Sequence, residues 1–323
     1  MNEPIEFADI KVTALAGGVG GARLADGLAQ VLNPENLTII VNTGDDFEHL
    51  GLMISPDLDT VCYTLAGIAN AATGWGRADE SWQALESLAQ LGGPTWFRLG
   101  DRDLGLNLER TRRLQSGQSL SQITRRFCQA LGVHASILPM SDDPVPTWVH
   151  TDEGILAFQD YFVRRQCQPH VTGFHFEGVE HASPAPGVLE ALEKADLVVI
   201  CPSNPWVSID PILAVPGIRN AVLGCPTLAV SPIIGGKAIK GPAAKMFEEL
   251  GLQPSASSIA CHYGELLHGF ILDRVDAAEM GIIQTQGIAI LTTDTIMKNP
   301  QKRIELAKEV IEFGLSLVEE QPK

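Results

Sequence analysis

Five short aliphatic runs, each closed by a loop of small polar residues, constrain this chain more than any other feature. They are Lys11–Ala16, Leu37–Asn42, Ile137–Pro139, Leu197–Cys201 and Thr227–Val230. Their Val and Ile content suits short strands. Helical periodicity occupies other stretches: Ala22–Leu32, Gly187–Lys194, Pro242–Leu250 and Pro300 to Leu317. Strand alternating with helix predicts an α/β fold with a mainly parallel sheet and helices on both faces.

The stretch from Thr60 to Leu131 departs from that alternation. Ser81–Leu91, Leu104–Leu114 and Leu120–Leu131 are all helical by period, with Ser81 placed as an N-cap. Residues 60–131 are therefore read as a helical insertion within a single α/β domain spanning 1–323. Tyr161–Glu180 is expected to supply strands on a sheet edge.

Charge excludes whole classes of partner. Acids outnumber bases 39 to 23, for a net charge of −16, so no broad footprint for nucleic acid or an anionic membrane is expected. No stretch nears the ~18 continuous apolar residues of a membrane span. The N-terminal MNEPIEFADIKV is acidic and lacks the apolar core of a signal peptide. Six cysteines without a C-x-x-C pair suit a reducing compartment, so the expected location is cytoplasmic.

In an open parallel sheet, ligands bind at the carboxyl ends of the strands. The five loops found there are rich in Gly, Asp, Ser and Asn. After the first run come Gly17, Gly18, Val19, Gly20 and Gly21, where backbone N–H groups can approach a phosphate. This is neither a Walker A loop nor G-x-G-x-x-G, since Arg23 stands at the third place, and a tight strand–helix turn has the same composition. After the second run come Asp45 and Asp46, followed by Asp57 and Asp59. Acids from two turns can hold Mg²⁺ through oxygen, which is the role expected of Asp45 and Asp59, whereas Asp57 is expected to cap a helix. Asp101, Arg102 and Asp103 open a helical stretch, where Arg102 is either a structural ion pair or a ligand clamp. Ser203 and Asn204 sit between two prolines, which suits rigid polar contacts but also a plain turn. Lys237 and Lys240 are candidate point charges for phosphate. Trp75 and Trp82 flank a glycine-rich helix entry, and the histidines show no metal-ligand spacing.

Taken in order, these loops resemble a known family. LAGGVGGARLADGL (15–28), VNTGDD (41–46), SPDLDT (55–60), GWG (74–76), LGDRD (99–103), LPMSDDP (138–144), PSNP (202–205) and SPIIGG (231–236) are similar to the 2-phospho-L-lactate transferases of coenzyme F-420 biosynthesis. The stretch Gly74–Trp82 looks more like the bacterial members. The resemblance implies a Rossmann-like, doubly wound α/β core with inserted helices, a homodimer and a Mg²⁺ requirement. It also implies transfer of a phosphorylated three-carbon acid, lactyl or enolpyruvyl, from its guanosine diphosphate derivative to the ribityl hydroxyl of the deazaflavin Fo, with release of GMP. Carried over residue by residue, it assigns metal binding and catalysis to Asp45 and Asp59, and Fo binding to Asp59, Asp101 and Arg102. The nucleotide falls to Gly17, Gly18, Gly20, Gly21, Ser203 and Asn204.

Two other classes compete. Regulators of the gluconeogenesis-factor type share the glycine loop and an Asp-Asp loop and bind nucleotide-sugars without catalysis. A nicotinamide-dependent oxidoreductase is disfavoured by the missing third glycine. Regional charge adds a hint: residues 1–60 hold ten acids and two bases, whereas the ten bases of 61–166 are all Arg. A metal among the first group would invert the local sign toward a diphosphate.

Overall fold

The computed structural model describes residues 7, 9–239 and 241–319. Its main sheet has seven strands: β1 (Val12–Ala16), β2 (Leu37–Val41), β3 (Ser136–Pro139), β4 (Leu197–Ile200), β5 (Thr227–Val230), β6 (Gly269–Asp273) and β7 (Ala289–Thr293). Their spatial order is β7-β6-β5-β4-β1-β2-β3, and every neighbouring pair is parallel. The chain builds outward from β1 to β3, then returns to β4 and builds the other way. That reversal between β1 and β4 leaves a crevice at their carboxyl ends, as in other doubly wound sheets.

Both faces are covered, and alternation along each strand sorts the side chains. Ile39 and Val41 enter one core with Leu24 and Leu28 of α1 (Gly18–Val31), Val61 of α2 (Pro56–Leu65) and Val310 of the C-terminal helix Pro300–Glu319. Ile40, between them, enters the opposite core with Val188, Leu192 and Phe270. This period of two, buried on each side, explains why the strands read as continuous aliphatic runs.

The helical insertion contains α3 (Gln83–Gln90), α4 (Asp101–Gln115) and α5 (Leu120–Ala130). Helix α4 begins three residues before its apolar periodicity, because its first turn is Asp101-Arg102-Asp103. Likewise α1 begins at Gly18, within a glycine run that carries no periodic signal. Ser81 is not the N-cap of α3; Trp82 holds that position, and the Ser81 hydroxyl donates to Asp101 at 2.5 Å.

Other expectations need correction. Tyr161–Glu180 adds nothing to the main sheet. Its strand Val171–Phe176 joins Thr147–Thr151 and Gly154–Ala157 in a separate antiparallel sheet, and Tyr161 sits in the π-helical turn Asp160–Arg164. Strands β6 and β7 lie outside the five aliphatic runs: β6 opens on a glycine and closes on Asp273, and β7 is an edge strand only partly buried along most of its length.

All six cysteines are free, and Cys62 and Cys128 face each other at 3.6 Å. Among the described residues no helix is long and apolar enough to cross a membrane. Lys240 and the N-terminal residues 1–6 lie outside the described residues.

Candidate active site

A cavity of about 890 Å³ opens where the sheet predicts one. Loops following β1, β2, β4, β5 and β7 line it, joined by the helical insertion and by the segment around Phe158–Gln166.

Its nucleotide-like corner is built by two loops docked on each other. Gly17 is extended at the N-cap of α1, and Gly18 follows with φ +62°, a left-handed conformation that favours glycine. A Cβ at Gly20 would stand 2.2 Å from the carbonyl oxygen of Pro202, so only glycine lets α1 approach that loop. Ser203 stitches the two loops together: its hydroxyl accepts from the Gly17 N–H at 3.2 Å and donates to the Gly17 carbonyl at 2.9 Å. The Asn204 side chain accepts from the Trp206 N–H at 3.1 Å. Gly17, Gly18, Gly20, Ser203 and Asn204 all line the cavity, whereas Gly21 packs behind it against Ala16 and Ser203.

The floor is acidic. Asp45, Asp57, Asp59 and Asp103 line the cavity, with Asp46 beside them. The Asn42 amide nitrogen gathers two of them, donating to Asp57 at 3.0 Å and to Asp45 at 3.4 Å. Asp57 does not cap its own helix; it accepts from the Gly18 N–H at 2.7 Å and so ties the acidic turn to the glycine loop. Asp59 is paired with Arg110, a buried guanidinium that also donates to Asn107 at 2.5 Å. Buried Gln159 reaches Asp45 at 3.4 Å.

This crowding holds the carboxyls away from their usual range. Burial, then the charges of Asp57 and Asp46, push Asp45 well up. Burial pushes Asp46 up against the hydrogen bond from Ser55. Burial raises Asp57 to about 6 and, with Asp59 nearby, Asp103 to about 6. Burial also raises Asp59, against the pull of Arg110.

Oxygen-only donors, mutually repelling and short of cations, fit a hard divalent ion. One oxygen of Asp46 is buried without any hydrogen-bond partner. No three His, Cys, Asp or Glu side chains among the described residues form a ready-made ligand cluster. Mg²⁺ does not need one, since it commonly binds through one or two carboxylates plus substrate phosphates and waters. The residues therefore fit such an ion.

The Leu99–Asp103 motif divides its labour in a way its spacing did not reveal. Asp101 lies outside the cavity lining and caps α3, accepting from Gln83 N–H at 3.1 Å and Ala84 N–H at 3.0 Å. Arg102 is exposed on the first turn of α4, and its guanidinium does not line the cavity. Asp103 does line it, accepting from the Tyr63 hydroxyl at 2.7 Å. Lys237 is exposed and outside the lining. Trp75 lines the cavity; Trp82 does not, and instead carries the Arg98 guanidinium 4.5 Å over its ring.

Several contributors carried no motif signal. Trp96 and Phe97, clustered with Phe47 and His49, join Trp75, Phe158 and Phe162 as an aromatic wall. Arg110 was indistinguishable from the other arginines of an amphipathic helix. Only its position, seven residues after Asp103 on one helix face, could have hinted at burial.

Fold and site together define a Rossmann-like α/β protein with a large ligand cavity at its topological switch point. The chain belongs to the 2-phospho-L-lactate transferase CofD family, whose model matches residues 12–311, and it is thus a member of a transferase family. It is 42% identical over 313 residues to a phosphoenolpyruvate transferase of Streptomyces griseus subsp. griseus, covering 94% of this chain and 98% of that one. It is 40% identical over 297 residues to a 2-phospho-L-lactate transferase of Methanosarcina acetivorans, covering 92% and 97%. Among solved structures, a UPF0052 family protein of Bacillus halodurans shares the fold, with a TM-score of 0.62 at 15% identity over 94% of this chain and 98% of that one.

Proposed function

We propose that the chain transfers a phosphorylated three-carbon acid from its guanosine diphosphate derivative to the terminal ribityl hydroxyl of Fo, releasing GMP, as a step of coenzyme F-420 biosynthesis. One observation carries this reading: a glycine-rich helix entry, four carboxylates and an aromatic wall share a single cavity. The wall suits a flat deazaflavin ring. The docked glycine and Ser203–Asn204 loops suit the GDP portion.

In the reaction the hydroxyl oxygen attacks the phosphorus bearing the acid. The bond from that phosphorus to the bridging oxygen breaks, and its electron pair leaves with GMP. The hydroxyl proton passes to a carboxylate. Asp59 suits that position because Arg110 favours its anionic form, leaving its other oxygen for the hydroxyl. Mg²⁺, held by Asp45 and Asp59 with donor phosphate oxygens, would neutralise charge on the diphosphate. The protein's remaining task is positioning, which such transfers mainly require. Arg102 is assigned to Fo on the family resemblance alone; exposed and outside the cavity lining, it would meet only a part of Fo that extends beyond the cavity.

The test is an assay of purified protein with Fo, Mg²⁺ and the lactyl, enolpyruvyl and glyceryl forms of the guanylated donor. Product mass and GMP are measured. An Fo adduct with stoichiometric GMP is expected; no adduct from any donor overturns the proposal.

A further inference from the structure

The cavity is acidic at its floor, yet three cations line it with no acidic partner among the described residues: Arg23, Lys298 and Arg98, the last of which lies over the Trp82 ring. Arg23 stands on α1, one turn beyond Gly20, half-buried and lining the cavity. Lys298, in the loop after β7, lines it too. Arg303, on the first turn of the C-terminal helix, brings these elements together: it is bonded to Asp26 of α1 at 2.9 Å, and its charge is felt at Arg23. Asp26 is thus already engaged by Arg303, and Arg23 is left unpaired.

A partly buried guanidinium without a protein counter-ion leaves its donor fork free for an anion in the cavity. It is the more notable in a chain of net charge −16, where acids to pair with are plentiful. Burial and the neighbouring Arg303 both act on Arg23 in the same sense, against its charge, and an anion beside it offsets both. Guanidinium geometry suits phosphate bidentately.

Resting on the function proposed above, we infer that Arg23 takes the phosphate that stays with the nucleoside, and so receives the negative charge developing on the GMP leaving group. The diphosphate then lies across the cavity, its transferred phosphorus over the Asp45 and Asp59 floor and its nucleoside phosphate at Arg23. Arg23 is thereby a specificity-determining residue for the phosphorylated nucleoside over the nucleoside alone.

The experiment is calorimetric titration of the full chain with GMP and, separately, with guanosine. Wild type is expected to bind GMP more tightly. Arg23→Ala should weaken GMP binding about ten- to a hundredfold, the worth of a charged hydrogen-bonded contact, and leave guanosine binding unchanged. Arg23→Lys should fall between, keeping charge but losing the fork. Unchanged GMP affinity in Arg23→Ala, or equal loss of GMP and guanosine, overturns the assignment while leaving the transferase reading standing. Failure of wild type to bind GMP overturns both.

Discussion

Replacing Arg110 by methionine tests the central electrostatic claim about the site. Arg110 is 2% exposed, and its guanidinium bonds Asp59 and Asn107, with Cζ 5.8 Å from the Phe127 ring centroid. Met keeps much of the apolar packing and removes the charge. Asp59 is then left buried beside Asp45, Asp46 and Asp57 with no cation to offset it. Breaking one partner of a buried pair costs about 3–5 kcal/mol, mostly from stranding the other charge. For a chain this long, about 2 °C per kcal/mol puts the fall in Tm at roughly 8 °C. Urea denaturation in chelator at neutral pH measures the loss. The double variant Arg110→Met with Asp59→Asn should recover at least half of it, because the stranded charge is gone. Arg112→Met, two residues on, breaks only the exposed pair with Glu109 and should be silent. If Arg110→Met is as silent as Arg112→Met, or if the double variant is simply additive, the account of a carboxylate floor held by one buried cation fails.

Asp59→Asn should abolish transfer while the cooperative unfolding transition persists, and near-normal turnover would refute its catalytic placement. Asp103→Asn tests pH dependence. Because burial lifts the folded-state carboxyl to about 6, the wild type gains from it below the ordinary carboxylate range and loses that gain as pH rises through 6. The stability of the variant relative to wild type should therefore rise between pH 4 and 7 by at most roughly 3 kcal/mol, and a pH-independent difference would refute the burial argument. Gly20→Ala places a methyl 2.2 Å from the Pro202 carbonyl and should cost about 1–3 kcal/mol while weakening GMP binding; unchanged values in denaturation and titration would show the loops are not docked as described.

The sequence made most of the sheet legible because five strands are buried on both faces, and burial on both faces leaves an unbroken aliphatic run. Strand β6 escaped because it begins at Gly269, and β7 because it is largely half-buried. The loops that line the cavity were legible for the same reason: in such a sheet they follow the strands. What each side chain does there was not. Asp101 and Asp103 are chemically identical and two residues apart, yet helix geometry turns one to cap α3 and the other to the cavity. Arg23 and Arg110 look like ordinary helix arginines until packing leaves one without a partner and the other without solvent. Such distinctions depend on three-dimensional neighbours.

The hydroxyl of Ser203 closes on Gly17 across 186 positions of sequence. A partly synthesised chain that has reached β3 already contains the glycine loop and every acidic residue of the floor, yet it has no finished site. The corner forms only when β4 inserts beside β1, a pairing of high contact order and hence slow to form. No fragment ending before β4 therefore holds a finished corner, and none should show the nucleotide binding proposed for the whole chain.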